Sequence, residues 1–430
     1  MLRKAYRSYV LTTITLVYTL SFLDSGLIIL LLQPIKEDLD LSDTQLGFLT
    51  GIAFALFYAT LGVPIARWAD RGNRATIASL AIGLWGITVM AYVLVTNFAQ
   101  LVLARVAAAV GESGCMPPTY SLVGDYFPGS AERTRAMAIY LSANPLASLV
   151  SFIAGGWLNE RYGWRTTFCL MGIPALLVAL LVKMTVAEPR YIARRAIVRP
   201  APFPGLAHVL TTLWRKRSWR HLIVGYVALS AMGFGLAPWY AAFMMRSHGM
   251  GTGELGVWLG LIFGISGIVG ILLGGQVSAS WFACNERGQM RLSALMIAAI
   301  VPCFVLFLLV PQKHLALIAL MLLVLVWGFF VGPTFALMQR LVVDEMRATS
   351  MAIVLLFGNL IGMGIGPQIV GALSDLLLPA WGRNSLRYAM LSMSVMALWS
   401  AWHFWQVGKS IDEDLRATRQ GAPPNPSADQ

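Results

Sequence analysis

Along the chain, apolar stretches of roughly 20 residues recur from end to end, broken by short polar segments, and each is long enough to cross a bilayer as a helix. The pattern predicts spans near 8 to 32, 44 to 66, 75 to 96, 98 to 124, 134 to 158 and 166 to 187. A second set lies near 222 to 245, 254 to 282, 292 to 311, 315 to 340, 350 to 377 and 386 to 406. The expected fold class is an all-α membrane protein of twelve transmembrane helices in two six-helix bundles. An even number of crossings puts both termini on one side.

Composition agrees with the pattern. Of 430 residues, 57% are hydrophobic and 12% charged, whereas a soluble domain carries roughly a quarter charged residues. The net charge of +12 would suit nucleic-acid binding if it lay on one folded face, but here it is dispersed among loops, so no nucleic-acid partner is expected. About 23 of the 32 Lys and Arg residues fall in loops on the terminus side and about seven opposite, which makes the terminus side cytoplasmic by the positive-inside rule. The first span follows Arg3, Lys4 and Arg7 without a small-residue cleavage site and is expected to be retained. Cys115, Cys169, Cys284 and Cys303 lack metal-ligand spacing and read as packing residues. No metal site, cofactor or catalytic residue is predicted.

The two sets of spans are separated by a polar, basic stretch. Its residues include Arg190, Arg194, Arg195, Arg199, Arg215, Lys216, Arg217 and Arg220, with Pro200, Pro202 and Pro204 between them. The expected organisation is a bundle over 1–189, a cytoplasmic linker over 190–221, a second bundle over 222–407 and a disordered tail over 408–430. The linker reads either as a surface lying on an anionic leaflet or as a generic basic loop. Weak internal symmetry relates the halves. Asp125, Glu132, Arg133, Arg135, Ala136, Met137 and Ala138 after the fourth span resemble Asp344, Glu345, Arg347, Ala348, Ser350, Met351 and Ala352 after the tenth. Internal repeats of this kind build many transporter folds, with the solute site near mid-membrane.

The loop GVPIARWADRGNR, Gly62 to Arg74, resembles the signature loop of the major facilitator superfamily and falls between spans two and three, where that family carries it. The segments GGWLNERYGWR (Gly155 to Arg165) and GPQIVGALSD (Gly366 to Asp375) are also similar to that family. The resemblance implies two bundles that alternate access and a cytoplasmic gate drawn from Gly62, Asp70, Arg71, Arg74, Asp125, Arg133 and Arg135. Asp70 is expected to accept hydrogen bonds from arginines and from the amino end of span eleven near Ser350, where the helix dipole is positive. In the loop between spans eight and nine, Asn285 and Glu286 replace the family's Asp-Arg pair.

Within that family, the segment Arg105 to Phe127 resembles span four of the Spinster-like branch, with Arg followed two turns later by Gly and Glu, and Ser21 onward resembles its span one. Ser25 stands where the branch carries Arg. Ionisable residues inside a membrane are costly and mark function by default, so Asp24, Arg105 and Glu112 are the candidates for proton coupling. Counting from the far ends of their spans puts Asp24 and Arg105 at a similar depth of roughly 10 to 12 Å, where they could pair. Glu112 follows Arg105 by two turns on the same face. Burial favours a neutral carboxylate and a nearby arginine a charged one, so a motion that broke the Arg105 contact would change proton affinity. A static ion pair that fixes helix register is the other reading.

Weaker polar positions complete the list. Asn144, Gln276 and Asn359, with Trp239 and Tyr240, are candidate cavity residues, and the amides serve equally as interhelical hydrogen-bond partners. The reading is a proton-coupled carrier of a lipid-like or amphipathic solute in the inner membrane, multi-pass, monomeric and surrounded by membrane lipids. A general organic-anion or drug carrier, working as a uniporter, is the alternative, and a non-transporting sensor or membrane enzyme a remote one. No HExxH, GxSxG or GxxxxGK[ST] string supports an enzyme.

Overall fold

A computed structural model describes residues 4–189, 206–282, 285–343 and 346–420. Among them there is no strand. Eight helical stretches are long and apolar enough to cross a membrane, nine when the bent pair Arg217–Leu236 and Trp239–His248 is taken as one. Two of these stretches hold two crossings each. Ala131–Thr185 has 55 residues and Thr349–Thr418 has 70, and at 1.5 Å per residue even the shorter would be roughly 80 Å long, far beyond one bilayer. The first breaks at Gly163, whose φ of 75° only glycine adopts readily. The second breaks at Gly382 (φ 49°). Phe98–Ser113 and Met116–Tyr126, joined at Gly114 and Cys115, make the twelfth span.

Local chemistry sets where spans begin. Ser42 and Gln45 form a reciprocal capping box at Asp43–Thr50, while Asn73 and Asn97 cap the third and fourth spans through their side chains. The first span departs from the expected end at residue 32. It runs on to Leu39 through Pro34, and the added turns carry Gln33, Lys36 and Glu37 above the apolar stretch.

The chain divides into two compact units, and the division does not fall at the linker. One comprises Met1–Ile197, Gly235–Ile265 and Met363–Met390; the other comprises Val198–Phe234, Ser266–Gly362 and Leu391–Gln430. The four spans that pass from one unit to the other are irregular within a few residues of the crossing. Span seven bends by 48°, span eight is π-helical over Ile262–Ser266 and span eleven over Gly358–Ile365, and span twelve breaks between Ser392 and Ser394. Of the basic linker, 190–205 lie outside the described residues, as do Cys284, Asp344, Glu345 and 421–430.

The tail expected to be disordered from 408 is instead helical to Gln420. It buries the short stripe Val407, Ile411 and Leu415 at helical spacing, and polar contacts hold it as well. Within the second unit, Asp414 accepts from the Ser218 backbone N–H at 2.7 Å, Ser410 pairs with Ser218 at 2.8 Å, and Lys216 donates to Thr418 at 2.6 Å. Burial lowers the Lys216 pKa from the usual lysine value, with Asp414 pulling it back up.

Candidate functional site

The three candidate charges lie inside the first unit and are all buried. Asp24 and Arg105 form an ion pair, Arg105 Nη1 donating to Asp24 Oδ2. The guanidinium also lies 4.2 Å from the centre of the Phe54 ring, a cation–π contact that helps offset the loss of water. Asp24 Oδ1 and Arg105 Nε have no hydrogen-bond partner. An arginine with one strong contact and one unused N–H can exchange partners without first breaking a bidentate clamp.

Glu112 sits two turns along the same helix, roughly 10 Å away. Its Oε2 is buried without a hydrogen-bond partner. A buried carboxyl in that condition is costly in charged form and less so when protonated. Tyr18 and Tyr58 are its electrostatic neighbours. Tyr58 stacks on Phe54 with ring centres 5.4 Å apart, and Tyr18 stacks on Tyr140 at 4.7 Å. These aromatic residues were not singled out from the sequence. Tyr18 and Tyr58 each lie in a continuous apolar run with nothing local to mark them.

The expected gate residues divide in their fates. Arg74 is fully buried and committed inside the first unit. It donates to Asp125 at 2.6 Å and to Ser121 at 2.8 Å, and both its Nε and its backbone N–H reach Glu188. Glu188, just past span six, was not anticipated. It ties the starts of span three and the ends of spans four and six together, with Tyr6 bridging the carbonyl of Thr185 and the N–H of Ala187. Arg133 closes its own loop onto the carbonyl of Phe127 at 3.2 Å. Arg71 and Arg135 are exposed, and Gly62 has open space about it. The side chain of Asp70 lies outside the described residues.

The cavity candidates are drawn from both units. Gln276 and Asn359 belong to the second unit, while Asn144, Trp239 and Tyr240 belong to the first. Asn144 is exposed. Trp239 is fully buried against Gly371, and Tyr240 is buried as well.

A second polar cluster of the first unit is at the end opposite the termini, beside the predicted cavity residue Trp239, and none of its charged residues was predicted as a site. Asp43, at the start of span two, receives two parallel hydrogen bonds of 2.7 Å from Arg246 of span seven and one of 2.6 Å from Ser374 of span eleven. Lys36 of span one donates to the same carboxylate. Arg246 Nε reaches Gln33 at 2.6 Å. Asp375 in turn accepts the backbone N–H groups of Asp43 and Thr44 at 3.1 and 2.7 Å, capping the positive end of that helix. Gly371 permits this contact, since a Cβ there would lie 2.2 Å from the Asp43 carbonyl oxygen. Beside it, Glu160 accepts from the N–H of Gly253 at 2.7 Å, and Asn159 donates to Thr252 at 3.0 Å. Carboxylates at the ends of spans two, five and eleven thus take part in contacts among the far-side ends of six spans, one, two, seven and eleven around Asp43 and five with eight at Glu160. Charged clusters in short loops read as solvated turns, which is why this one escaped notice.

Twelve spans with buried charges and polar clusters at both ends define a multi-pass membrane transporter. Residues 14–367 match the family described as the Major Facilitator Superfamily, and the chain belongs to that family. It is 34% identical over 403 residues to a protein described as an MFS-type efflux pump of Mycolicibacterium smegmatis, covering 94% of this chain and 92% of that one. It is 22% identical to Protein spinster homolog 1 of Xenopus laevis, covering 96% and 83%. Among solved structures, a bacterial homolog of the human lysosomal transporter Spinster in an inward-facing, unoccupied conformation matches with a TM-score of 0.83 and 28% identity, over 96% of this chain and 99% of that one. The chain is therefore a transporter and not an enzyme, related to Spinster proteins and to efflux pumps.

Proposed function

We propose that the protein is a proton-coupled secondary carrier of a lipid-like or amphipathic organic solute, working by alternating access in the inner membrane with both termini in the cytoplasm. The observation that carries the reading is the buried trio: an Asp24–Arg105 ion pair with unused donor and acceptor capacity, and a solitary Glu112 two turns along the Arg105 helix. When Glu112 is protonated, Arg105 stays with Asp24. When Glu112 loses its proton, the new buried charge draws Arg105 away and frees Asp24 to take a proton. The cycle moves a proton past the midpoint without ever leaving two buried carboxylates charged and unpaired. Its aromatic wall of Tyr18, Tyr58 and Tyr140 suits a solute with an apolar body.

The cluster around Asp43 would be the closed gate on the periplasmic side, and the conformation described would be the one that loads or releases solute from the cytoplasm. The likeness to a Spinster homolog captured inward-facing supports this assignment. A thermal-shift screen of lipids and organic anions on the purified protein would supply a ligand. Its flux into proteoliposomes, with and without an imposed pH gradient, tests the coupling.

A second reading has its own support. The 34% identity to an MFS-type efflux pump favours a drug or organic-anion carrier. The same flux assay separates the two by which solutes move and by whether the pH gradient drives them uphill.

A further inference from the structure

Beside the Asp43 cluster, at the far-side end of the first unit, lies a cavity of ≈ 440 Å³. That volume falls within the range of small-molecule sites. Its lining includes Lys36, Asp43, Arg246, Asp375, Arg383 and Ser385. Glu37 lines it too, so formal charges of both signs are equal in number. Their commitments are not equal. Asp375 is engaged with the backbone N–H groups that open span two, and Glu37 accepts from the Gln33 amide at 2.7 Å. The lining as a whole is therefore neutral, but Lys36 and Arg246 have one carboxylate, that of Asp43, between them, and Arg383, exposed on the short turn Gly382–Asn384 that follows span eleven, makes no ion pair among the described residues.

We propose that this cavity binds an anionic group, a phosphate or carboxylate, between Lys36 and Arg383, and that its occupancy loosens the Asp43 clamp. An anion there competes with Asp43 for Lys36 and Arg246, because each cation that turns toward the ligand weakens the hold on Asp43. Ser385, whose hydroxyl is 3.3 Å from that of Ser374, is a further donor at the wall. The site therefore couples arrival of an anion on the far side to release of the contacts that keep that side shut. This rests on the carrier reading above, in which the Asp43 cluster is a gate. The anion could come free in solution or as the headgroup of a lipid or solute.

The test uses the full chain in nanodiscs of zwitterionic lipid, on a cysteine-free background with spin labels at Asp40 and Ser247. Inorganic phosphate is titrated first, dihexanoyl phosphatidic acid second, with sodium chloride at matched ionic strength as control. Binding is read by calorimetry and opening by the label-to-label distance. At least one phosphate source should bind and lengthen the distance. Arg383→Gln should weaken that binding about tenfold and abolish the lengthening, while keeping the anion-free distance of the parent, and Arg383→Lys should retain most of the binding. Inorganic phosphate acting alone would mark a free-anion site, and phosphatidic acid acting alone a headgroup site; both support the proposal. No phosphate-dependent change from either source, or binding unaltered by Arg383→Gln, overturns it. A protein that transports solute with proton coupling yet ignores phosphate refutes this inference and leaves the carrier reading standing.

Discussion

Asp43 and Arg246, separated by 203 positions in the chain, meet through two parallel hydrogen bonds of 2.7 Å each. The fork-to-carboxylate geometry is the strongest side-chain contact available to an arginine. It joins spans two and seven at the end of the molecule opposite the termini. Breaking one partner of such a pair costs about 2 kcal/mol or more. Asp43→Asn and Arg246→Gln should each lengthen the distance between labels at Asp40 and Ser247, and the double variant should do little more than either single one. Additive effects would show that the two side chains act separately.

Gly371 lets spans two and eleven touch at the backbone, and any side chain there must displace the Asp43 carbonyl. Gly371→Val should raise the rate at which a thiol-reactive probe reaches a cysteine placed at Thr44. Protection equal to that of the parent would mean the contact at Gly371 does not hold the far side closed.

At the terminus side, Arg74 is buried with Glu188 as its principal partner and Asp125 as a second. Glu188→Gln removes one of the two counter-charges. Since breaking a buried pair outright costs about 3 to 5 kcal/mol and Asp125 remains, about half of that is expected, visible as a fall of several degrees in the melting temperature of the purified protein. Glu188→Asp should recover part of it. A melting temperature unchanged in Glu188→Gln would show that Asp125 suffices.

Both termini are expected in the cytoplasm. A cysteine replacing Tyr162, exposed at the turn between spans five and six, should react with a membrane-impermeant maleimide added to intact cells. One replacing Gly72 should not. The reverse pattern would invert the topology.

The spans and the Asp24–Arg105 contact were legible because each depends on one-dimensional information. Length and hydropathy set the crossings, and distance from a span end sets depth, so two charges at similar depth on neighbouring helices could be matched. The Asp43 cluster depends on which loops meet in space. Asp43 and Ser374 are 331 positions apart; Asp43 lies in a short polar segment that by itself reads as an ordinary solvated turn, and Ser374 is a lone hydroxyl in the apolar helix of span eleven. Glu188 escaped for the same reason. Helix 408–420 escaped because its apolar stripe is only Ile411 and Leu415 continuing from Val407 among charged residues, and the rest of its hold is polar, Asp414 and Ser410 on Ser218 and Lys216 on Thr418.

The central claim is that Glu112 and Asp24 exchange a proton through Arg105. It is tested most directly by solute accumulation in proteoliposomes under an imposed pH gradient, using the solute that best stabilises the purified protein. Glu112→Gln keeps the size and hydrogen bonding of the side chain and removes its titration, so the account predicts loss of uphill, pH-driven accumulation with downhill exchange retained. Asp24→Asn should behave alike, and Arg105→Ala should do more damage by leaving two buried carboxylates without a cation. Full pH-driven accumulation in both Glu112→Gln and Asp24→Asn would contradict the account and reduce the trio to a structural ion pair with a buried neighbour.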